Sequence, residues 1–357
     1  MPGKLVRAAF LASVLIFLLC VPGAFAEAES AGRLGAALEA LLPGVDSSAE
    51  IPILVSLSDR WDAHGVESGA LKRSEILLAL RGHAIQSQST LITQLRKRGV
   101  KRLVPLWIHN GIALTAKRES IRWLSKDPRI RSIRLDRTFR LPVETASENG
   151  VVEWNLAAIG ANELWLRGHT GEGVVVAGVD SGVDALHPDL APAWRGGANS
   201  WFDPNGEHEV PADADGHGTQ TMGLMVGGAA GGLAVGVAPG AQWIAVKIFN
   251  DAGEASLSSV HMGYQWLADP DGDPETLDAP HIINNSWGLT ENLNECIDEF
   301  QEDIRILRQL GIVSVFAAGN AGPYAYTSVS PGNYPESMAV GALGESLSLL
   351  SASSRGP

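Results

Sequence analysis

The sequence predicts an α/β protein in which a three-layer domain with a parallel sheet follows a small α+β domain. Two observations support this prediction. From about residue 150 onward, apolar runs that lack polar alternation, typical of strands buried on both faces of a parallel sheet, alternate with helical patterns. Before that point, the patterns predict a strand, a helix, two strands, a helix and a strand, an order in which two strands follow one another directly. With 357 residues, 45% of them hydrophobic, the chain is long enough to build two cores.

The small domain is expected over residues 51–142. Its elements, in chain order, are a strand at 51–57, a helix at 71–95 with a break near Gly82, two strands within 100–116, a helix at 119–125 and a strand at 130–141. Asn110-Gly111 is a strong hairpin signal between the two central strands, and Pro128 stops the second helix. This βαββαβ order predicts a ferredoxin-like arrangement.

The large domain is expected over residues 151–357. Its patterns predict strands at 173–180, 241–249, 281–287, 312–319 and 338–343, with helices from 217, at about 256–268 and at 291–310. Strands that alternate with helices in this way form a parallel sheet through right-handed crossovers. Cys296 lies within the last helical pattern and is expected to be a packed, inert thiol.

An acid stands at the end of the first apolar run of the large domain. Residues 174–179 are apolar or glycine without alternation, and Asp180 follows them directly. Open α/β sheets place ligands and chemistry at the carboxyl ends of their strands. Asp180 is therefore a candidate site residue, although an isolated Asp at this place is as well explained as a cap for the next segment.

A histidine opens the next helical pattern. His217 stands between Gly216 and Gly218, which let other backbone approach the ring and leave the imidazole accessible. An imidazole can accept and return a proton near neutral pH, and a neighbouring carboxylate would fix its tautomer. A single histidine is more often a surface or core residue, so His217 becomes a strong candidate only together with Asp180.

An amide follows a later apolar run. Asn320 comes after residues 312–318 and Gly319, at the mouth of a predicted buried strand. Its NH₂ group could donate to an oxygen that becomes negative in a tetrahedral intermediate. The alternative is a turn in which Asn adopts the left-handed conformation.

The motifs DSG, HGT and AAGN, in this order, resemble those of the subtilisin-like serine proteases, the subtilases. Further agreement comes from HPDL, GVAPGAQWIAVKIF, NNSWG, SPGNYP and SSRGP, and the Trp-rich texture is similar to the bacillopeptidase F type. The likeness covers about residues 151–357. It implies a peptidase in which Asp180 orients the imidazole, His217 is general base and then acid, and Asn320 is the oxyanion donor.

One part of the family pattern is missing, because no Gly-Thr-Ser nucleophile turn occurs in the 357 residues. In the family that serine follows the SSRGP segment, so we expect it beyond Pro357 and expect the chain as given to be inactive. Ser351, Ser353 and Ser354 precede the nucleophile segment and are no substitutes. Gln220 also departs from the pattern, since the family usually has a second histidine there.

The likeness also points to a substrate-binding segment, Ser286, Trp287 and Gly288. These residues leave a predicted buried strand, and we expect them to offer a backbone edge to which an extended peptide can add as a strand. Such binding favours unfolded or loop segments of proteins as substrate. Trp287 has a second interpretation as an ordinary core residue.

The first residues have the pattern of a secretory signal peptide at 1–26. Lys4 and Arg7 precede an apolar stretch at 8–19, and Ala24-Phe25-Ala26 is a small-residue cleavage pattern. The stretch is short for a membrane-spanning helix, although an uncleaved anchor is the alternative. We therefore expect a secreted protein without stable membrane association after cleavage. Residues 27–50 are expected to be a linker and 143–150 an exposed processing linker.

Charge divides the chain into two parts of opposite sign. Residues 51–145 contain 18 Lys and Arg against 8 Asp and Glu, whereas residues 146–357 contain 6 against 27. Opposite charges of this size should speed docking of the two domains. The small domain resembles the inhibitory propeptide of subtilases. A nucleic-acid or membrane patch is the weaker alternative, because the basic residues are spread out and aromatic residues are few.

An acidic run, Asp269, Asp271, Asp273 and Glu275, resembles the start of an EF-hand calcium loop. The glycine is at the fourth instead of the sixth place, and Pro280 occupies position twelve, so a solvated acidic loop is the better interpretation. We assign no metal ligand. The family chemistry requires no cofactor, although the family often holds structural calcium.

Two hypotheses follow. The first is the zymogen of a secreted serine endopeptidase with an Asp-His-Ser triad and its own propeptide as intramolecular inhibitor. The second is a non-catalytic, subtilase-like binding or chaperone protein that lacks the nucleophile.

Overall fold

Within the described residues, the small domain contains three α-helices and a sheet of four strands. The structure, a computed structural model, describes residues 33–61, 71–141, 154–230, 232 and 234–357. The elements of the small domain are α1 (Ala36–Leu41), β1 (Glu50–Leu57), α2 (Arg73–Lys97), β2 (Leu103–Leu106), β3 (Gly111–Lys117), α3 (Arg118–Leu124) and β4 (Ile130–Leu135). The predicted signal peptide at 1–26 and the processing linker at 143–150 lie outside the described residues.

The strands of the small domain form an antiparallel sheet in the order β2-β3-β1-β4. From β1 to β4 the elements follow the expected βαββαβ order. The sheet and helices enclose a core of their own, which includes Ile53, Val55, Leu91, Leu114 and Ile133. The unit therefore has the hydrophobic core that an independently folding domain needs.

The helix α2 runs through Gly82 without the expected break. No atom lies within 4 Å of the position where a Cβ of Gly82 would stand, so the residue has no packing role there. Leu77 and Leu80 before it and Leu91 after it are buried. Burial of one apolar stripe on both sides outweighs the roughly 1 kcal/mol that an interior glycine costs.

The expected linker at 27–50 contains packed chain from residue 33 onward. Leu38 in α1 and Leu42 after it are buried in the core of the small domain. The backbone N–H of Gly35 donates to the carbonyl of Ile133 at 2.9 Å. The described part of this span therefore belongs to the small domain.

The predicted strand at 130–141 is divided in two. After β4 the chain turns at Asp136 and Arg137, and a new strand β5 (Thr138–Arg140) leaves the sheet. This strand pairs with a segment of the large domain that the sequence did not identify as a strand. The division follows from a long-range contact that no local pattern shows.

The large domain begins with two short helices and continues as an alternation of strands and helices. Its elements are α4 (Trp154–Ala158), α5 (Ala161–Trp165), β6 (Val175–Asp180), β7 (Trp201–Phe202), α6 (His217–Val226), β8 (Gln242–Lys247), β9 (Glu254–Ser256), α7 (Leu257–Ala268), β10 (Ile282–Asn285), α8 (Gln301–Gln309), β11 (Val313–Ala317) and β12 (Met338–Val340). Each of the five predicted strands is present, with shorter bounds, and β7 and β9 were not predicted.

Six strands form a parallel sheet in the order β12-β11-β10-β6-β8-β7. Alternate residues of its central strands face two different cores. Val176 and Trp243 pack with Met222 of α6 on one face, whereas Ala177 and Ile244 pack in the cluster that contains α7 and α8 on the other. Helices on both faces of a parallel sheet make the predicted three-layer α/β fold, which is confirmed.

The predicted helix at 291–310 is wrong in its first half. Only Gln301–Gln309 is α-helical, after a 3₁₀ turn at Asp298–Phe300. Asn294 has a φ of 63°, and its backbone N–H donates to the Ser328 carbonyl at 2.7 Å. The side chain of Ser330 holds the Ile297 N–H at 2.9 Å. These contacts favour a loop over a helical turn, and Cys296 is consequently exposed instead of packed.

A second hydrophobic core, distinct from that of the small domain, contains residues of both domains. Leu77, Leu80 and Phe139 of the small domain lie in the same cluster of buried residues as Val260 and Tyr264 of α7. Each domain therefore covers apolar surface of the other. None of the helices in the described ranges is long and apolar enough to cross a membrane.

Candidate active site

Asp180 and His217 meet at the carboxyl edge of the parallel sheet. Asp180 is the last residue of β6 and His217 is the first residue of α6. The distance between His217 Nδ1 and Asp180 Oδ1 is 2.7 Å, although the two residues are 37 positions apart. Asp180 is 1% exposed and His217 is 8% exposed. The structure thus joins two of the predicted site residues in one buried hydrogen bond.

This hydrogen bond defines the orientation of the imidazole. Burial raises the pKa of Asp180, and the hydrogen bond from His217 opposes that rise. The same oxygen also accepts the backbone N–H of Ser181 at 2.7 Å. When Asp180 is ionised, its carboxylate can only accept hydrogen bonds, so that Nδ1 of His217 carries the hydrogen and Nε2 is the basic nitrogen.

Two glycines allow close backbone contact of the segment after β6 with the loop before α6 and with the start of α6. A Cβ at Gly182 would lie 1.9 Å from the carbonyl oxygen of Ala212, and one at Gly218 would lie 2.1 Å from the carbonyl oxygen of Gly182. The N–H of Gly218 donates to Ser181 Oγ at 2.9 Å. Side chains at either position would separate the two segments that carry Asp180 and His217.

The substitution Gly182→Ala is expected to destabilise the protein by about 3 kcal/mol or more, because it combines left-handed strain with a backbone clash. Gly182 has a φ of +115°. The matched control is Gly206→Ala, since Gly206 has a φ of +73° with no atom near the added Cβ, and it should cost only about 1–2 kcal/mol. Urea unfolding of both variants measures the difference. Equal losses would contradict the close contact.

Asp213 accepts hydrogen bonds from the first turn of α6, a role that was not predicted from the sequence. It accepts hydrogen bonds from the N–H of Thr219 at 2.8 Å, from Thr219 Oγ1 at 2.6 Å and from the N–H of Gly216 at 2.9 Å. Burial alone would raise the pKa of Asp213, but these hydrogen bonds outweigh it and lower the pKa. The N-cap residue of α6 is Gly216, three positions after Asp213, so a capping rule applied to the sequence would not have identified Asp213.

Lys247 supports the segment after Asp180 from the neighbouring strand. It stands opposite Asp180 in the register of β6 and β8 and is 1% exposed. Its Nζ donates to the carbonyl oxygens of Ser181 at 3.0 Å and Phe249 at 2.9 Å. The buried charge is thus hydrogen-bonded to the turn that places Asp180. No sequence pattern indicated this contact.

Asn320 lies at the same edge of the sheet, beyond the end of β11. In the sheet, β10 separates β11 from β6, and parallel strands point their carboxyl ends to one edge. Asn320 is exposed, and the turn before it is tied down because the Ser354 N–H donates to the Gly319 carbonyl at 2.8 Å. The hydroxyl of Ser354 accepts the Ala321 N–H at 3.1 Å, which gives this serine a structural role.

The predicted substrate-binding residues separate into core and surface parts. Trp287 is 1% exposed, and its ring lies 5.4 Å from Phe139, 5.8 Å from Phe300 and 6.0 Å from Phe316, measured between centroids. Its side chain is therefore a core residue, as the second interpretation had it. Ser286 and Gly288 on either side are partly exposed, so the backbone of this segment is what a peptide could reach.

The large domain has a second strand edge, which was not predicted from the sequence. Residues 254–256 form β9, which pairs antiparallel with β5 of the small domain, with Phe139 opposite Ala255. The pairing continues as the N–H of Leu141 donates to the Gly253 carbonyl at 3.2 Å. The large domain thus has an edge that accepts an extended chain as an added strand.

The acidic run after α7 contains a group of three carboxylates, Asp269, Asp271 and Asp278, that lie close together. Asp273 and Glu275 are not part of this group. Arg81 of the small domain reaches it, with Nη2 at 2.5 Å from Asp269 Oδ2. A basic side chain thus faces a carboxylate that the sequence analysis had assigned to a solvated loop.

Comparisons with known proteins show the family to which the chain is similar. The family model for peptidase S8, described as the subtilase family, matches residues 171–357. Bacillopeptidase F of Bacillus subtilis (strain 168) is 32% identical over 320 residues, which are 80% of this chain and 22% of that protein. Subtilisin E of the same organism is 32% identical over 252 residues, 69% of this chain and 59% of the relative.

Minor extracellular protease Vpr of the same organism is 32% identical over 195 residues, 52% of this chain and 22% of the relative. The chain thus spans less than two thirds of the length of each of these relatives. The family match covers the segments that carry Asp180, His217 and Asn320. The chain belongs to the subtilase family of subtilisin-like serine proteases.

Proposed function

We propose that this chain is part of the precursor of a secreted serine endopeptidase that hydrolyses peptide bonds in protein substrates. The observation that carries the proposal is the buried 2.7 Å hydrogen bond between His217 and Asp180. A non-catalytic binding or chaperone protein has no need of a buried carboxylate that orients an imidazole. That alternative is therefore not favoured.

We assign the following roles to the site residues. His217 Nε2 takes the proton from a serine hydroxyl as that oxygen attacks the scissile carbonyl, and later gives it to the leaving amine. Asp180 holds the ring and stabilises the imidazolium that forms. Asn320 donates to the oxyanion. The nucleophile is a serine supplied by the complete protein, and the reaction requires no cofactor. Structural calcium is expected from the family likeness alone.

The direct test is hydrolysis of an unfolded protein substrate by the purified product of the complete gene. We expect cleavage products whose formation is blocked by a serine-directed fluorophosphonate and is unaffected by an inhibitor of cysteine proteases. Activity that resists the fluorophosphonate would contradict the proposal. So would a product that binds unfolded substrate without cleaving it.

Asn320→Ala is expected to lower kcat by about 10²–10³-fold with little change in KM, because the donor acts on the charge that develops during the reaction. Steady-state kinetics on a peptide substrate measure both constants. The matched control is Asn292→Ala, since Asn292 is an exposed asparagine in the loop before α8. A rise in KM with an unchanged kcat would assign Asn320 to substrate binding instead.

We infer that the small domain is the inhibitory propeptide of the enzyme. Ion pairs between its arginines and acidic residues of the large domain support this role: Arg81–Asp269, Arg134–Glu299, Arg137–Glu291 and Arg140–Glu254. The carboxylate of Asp269 is buried and that of Glu299 is mostly buried, whereas both side chains are partly or largely exposed in the other two pairs. Exposed pairs add little stability individually, but the opposite charges together favour encounter of the two surfaces. Some of the oppositely charged residues that distinguish the two domains in the sequence therefore meet at the interface.

A buried contact supplements these ion pairs. Asp136 accepts the N–H of Ser258 at 3.0 Å and its hydroxyl at 2.7 Å, and the carbonyl of Arg137 accepts the N–H of Leu257 at 3.1 Å. Both N–H groups belong to the first turn of α7, where helices have no internal partners for them. The small domain thus satisfies donors that a helix of the large domain leaves open.

The strand β5 suggests how the propeptide inhibits. It pairs with β9 as an added antiparallel strand, which is the way that an extended substrate segment would bind. We propose that substrates use this edge together with the backbone of Ser286, Trp287 and Gly288. Chain cleavage within 143–150 would then follow directly after the segment bound at β9. The name of Vpr, an extracellular protease, agrees with the proposed secretion.

A further inference from the structure

A cluster of histidines and carboxylates lies between the two domains, away from the Asp180–His217 pair. His109 comes from the turn between β2 and β3 of the small domain, His261 from α7 and Asp303 from α8. The side chains of His109, His261 and Asp303 are 8%, 1% and 0% exposed. One nitrogen or oxygen of each lies within 4.8 Å of the others. The proposed protease mechanism uses none of these groups.

One nitrogen of the cluster has no hydrogen bond. His109 Nδ1 is buried and has no hydrogen-bond partner among the described residues. It lies 3.7 Å from Asp303 Oδ1, which is beyond hydrogen-bond distance. His261 Nδ1 lies 3.0 Å from both oxygens of Asp303. An unpaired buried imidazole nitrogen is costly, and it faces a carboxylate that a second imidazole already contacts.

We propose that His109, His261 and Asp303 bind a divalent transition-metal ion, with Zn²⁺ as the best match. Two imidazole nitrogens and one carboxylate oxygen are a ligand set that Zn²⁺ uses, with a water molecule as the fourth ligand. His109 also lines a cavity of about 10 Å³, which is room for about one water molecule, although His261 and Asp303 do not line it.

The surroundings of His261 match those of a metal-bound histidine. Its other nitrogen, Nε2, lies 3.3 Å from Glu299 Oε1, and Arg134 Nη1 holds the second oxygen of Glu299 at 2.8 Å. A ligating histidine commonly donates its second N–H to a carboxylate, which fixes the tautomer and directs the lone pair to the metal. Glu299 is placed for this role, and Asp303 is left to neutralise the ion.

Charge also favours a cation at this place. Asp303 and Glu299 face the two ring nitrogens of His261, with Nδ1 at 3.0 Å from Asp303 Oδ1 and Nε2 at 3.3 Å from Glu299 Oε1. The negative charge of the two carboxylates attracts a cation to this place.

The ion would connect the two domains, because His109 belongs to one and His261 and Asp303 to the other. If the small domain is the propeptide, which rests on the proposed function, Zn²⁺ would strengthen its docking. The binding site itself does not depend on that role. Its test therefore needs no protease activity.

Isothermal titration of the metal-free 357-residue chain with ZnCl₂ tests the proposal. We expect one tight equivalent in the wild type, a loss of affinity of more than about 100-fold in His109→Ala and a loss of about 10–100-fold in Glu299→Gln. His208→Ala is the matched control, because His208 belongs to the group Glu207, His208 and Asp251, a more exposed candidate cluster. It should leave the tight equivalent unchanged.

Co²⁺ provides a second measurement, since a tetrahedral Co²⁺ site absorbs visible light strongly. The absorption should appear in the wild type and in His208→Ala and be absent from His109→Ala. Circular dichroism shows whether the variants are folded. If His109→Ala does not fold, the Zn²⁺ affinity of Glu299→Gln decides whether the proposal holds. Absence of tight Zn²⁺ binding in the wild type, or equal affinity in wild type and His109→Ala, would overturn the proposal.

Discussion

Replacing His217 by alanine in the product of the complete gene is expected to lower kcat for peptide hydrolysis by about 10⁶-fold. This magnitude is the one known for loss of the histidine from subtilisin's Asp-His-Ser triad, and we carry it over to this relative. Without the imidazole, no group in the proposed mechanism accepts the proton of the nucleophile. Asp180→Asn should cost about 10⁴-fold, because an amide favours the wrong tautomer of His217.

Steady-state kinetics with a chromogenic peptide measure both losses. His208→Ala is the matched control, since this partly exposed histidine also faces a carboxylate, with Nε2 at 3.0 Å from Asp251 Oδ1. Its kcat should be that of the wild type. An active His217→Ala enzyme would contradict the general-base role. A combined variant that loses much more than His217→Ala alone would show that the two residues do not act as a unit.

Truncation of Phe139 to alanine should weaken inhibition by the propeptide at least about 100-fold. Phe139 is 8% exposed, and its ring lies 5.5 Å from that of Phe249 and 5.4 Å from that of Trp287 in the large domain. Removal of a buried phenylalanine costs about 3–5 kcal/mol in a protein core. Because this ring packs across the interface, most of that cost should appear in docking.

The measurement is the inhibition constant of segment 33–141 added to the mature enzyme. This segment includes α1, whose Leu38 completes the core of the small domain. Ile85→Ala is the control, since Ile85 lies on α2 and is 70% exposed. It should inhibit like the wild-type segment. An unchanged inhibition constant for Phe139→Ala, in a segment that remains folded, would mean that β5 does not hold the domains together.

Local patterns in the sequence were sufficient to locate most of the strands. Apolar runs predicted five of the six strands of the parallel sheet, all except β7, and Asn110-Gly111 predicted the hairpin of the small domain. The same patterns placed Asp180 and His217 at a strand end and a helix start. The rule that parallel strands direct their carboxyl ends to one edge accounts for the position of Asp180, but the sequence pattern did not predict the hydrogen bond to His217 at the start of α6.

Features that depend on distant contacts were not visible in the sequence. Strand β9 is three residues long, and β5 is its partner in the two-stranded pairing. The loop before α8 is held by Ser328 and Ser330, which are more than 30 positions away. Lys247 supports the Asp180 turn only because β8 lies beside β6. Such residues have no local periodicity or capping signal that would identify them.

The rate of labelling by a serine-directed fluorophosphonate tests the central claim most directly, because the reagent reacts only with an activated hydroxyl. We predict that the product of the complete gene is labelled at a single serine. His217→Ala and Asp180→Asn should both slow the labelling strongly, and His208→Ala should leave it unchanged. Equal labelling rates in the wild type and in His217→Ala would show that the Asp180–His217 pair does not activate the nucleophile.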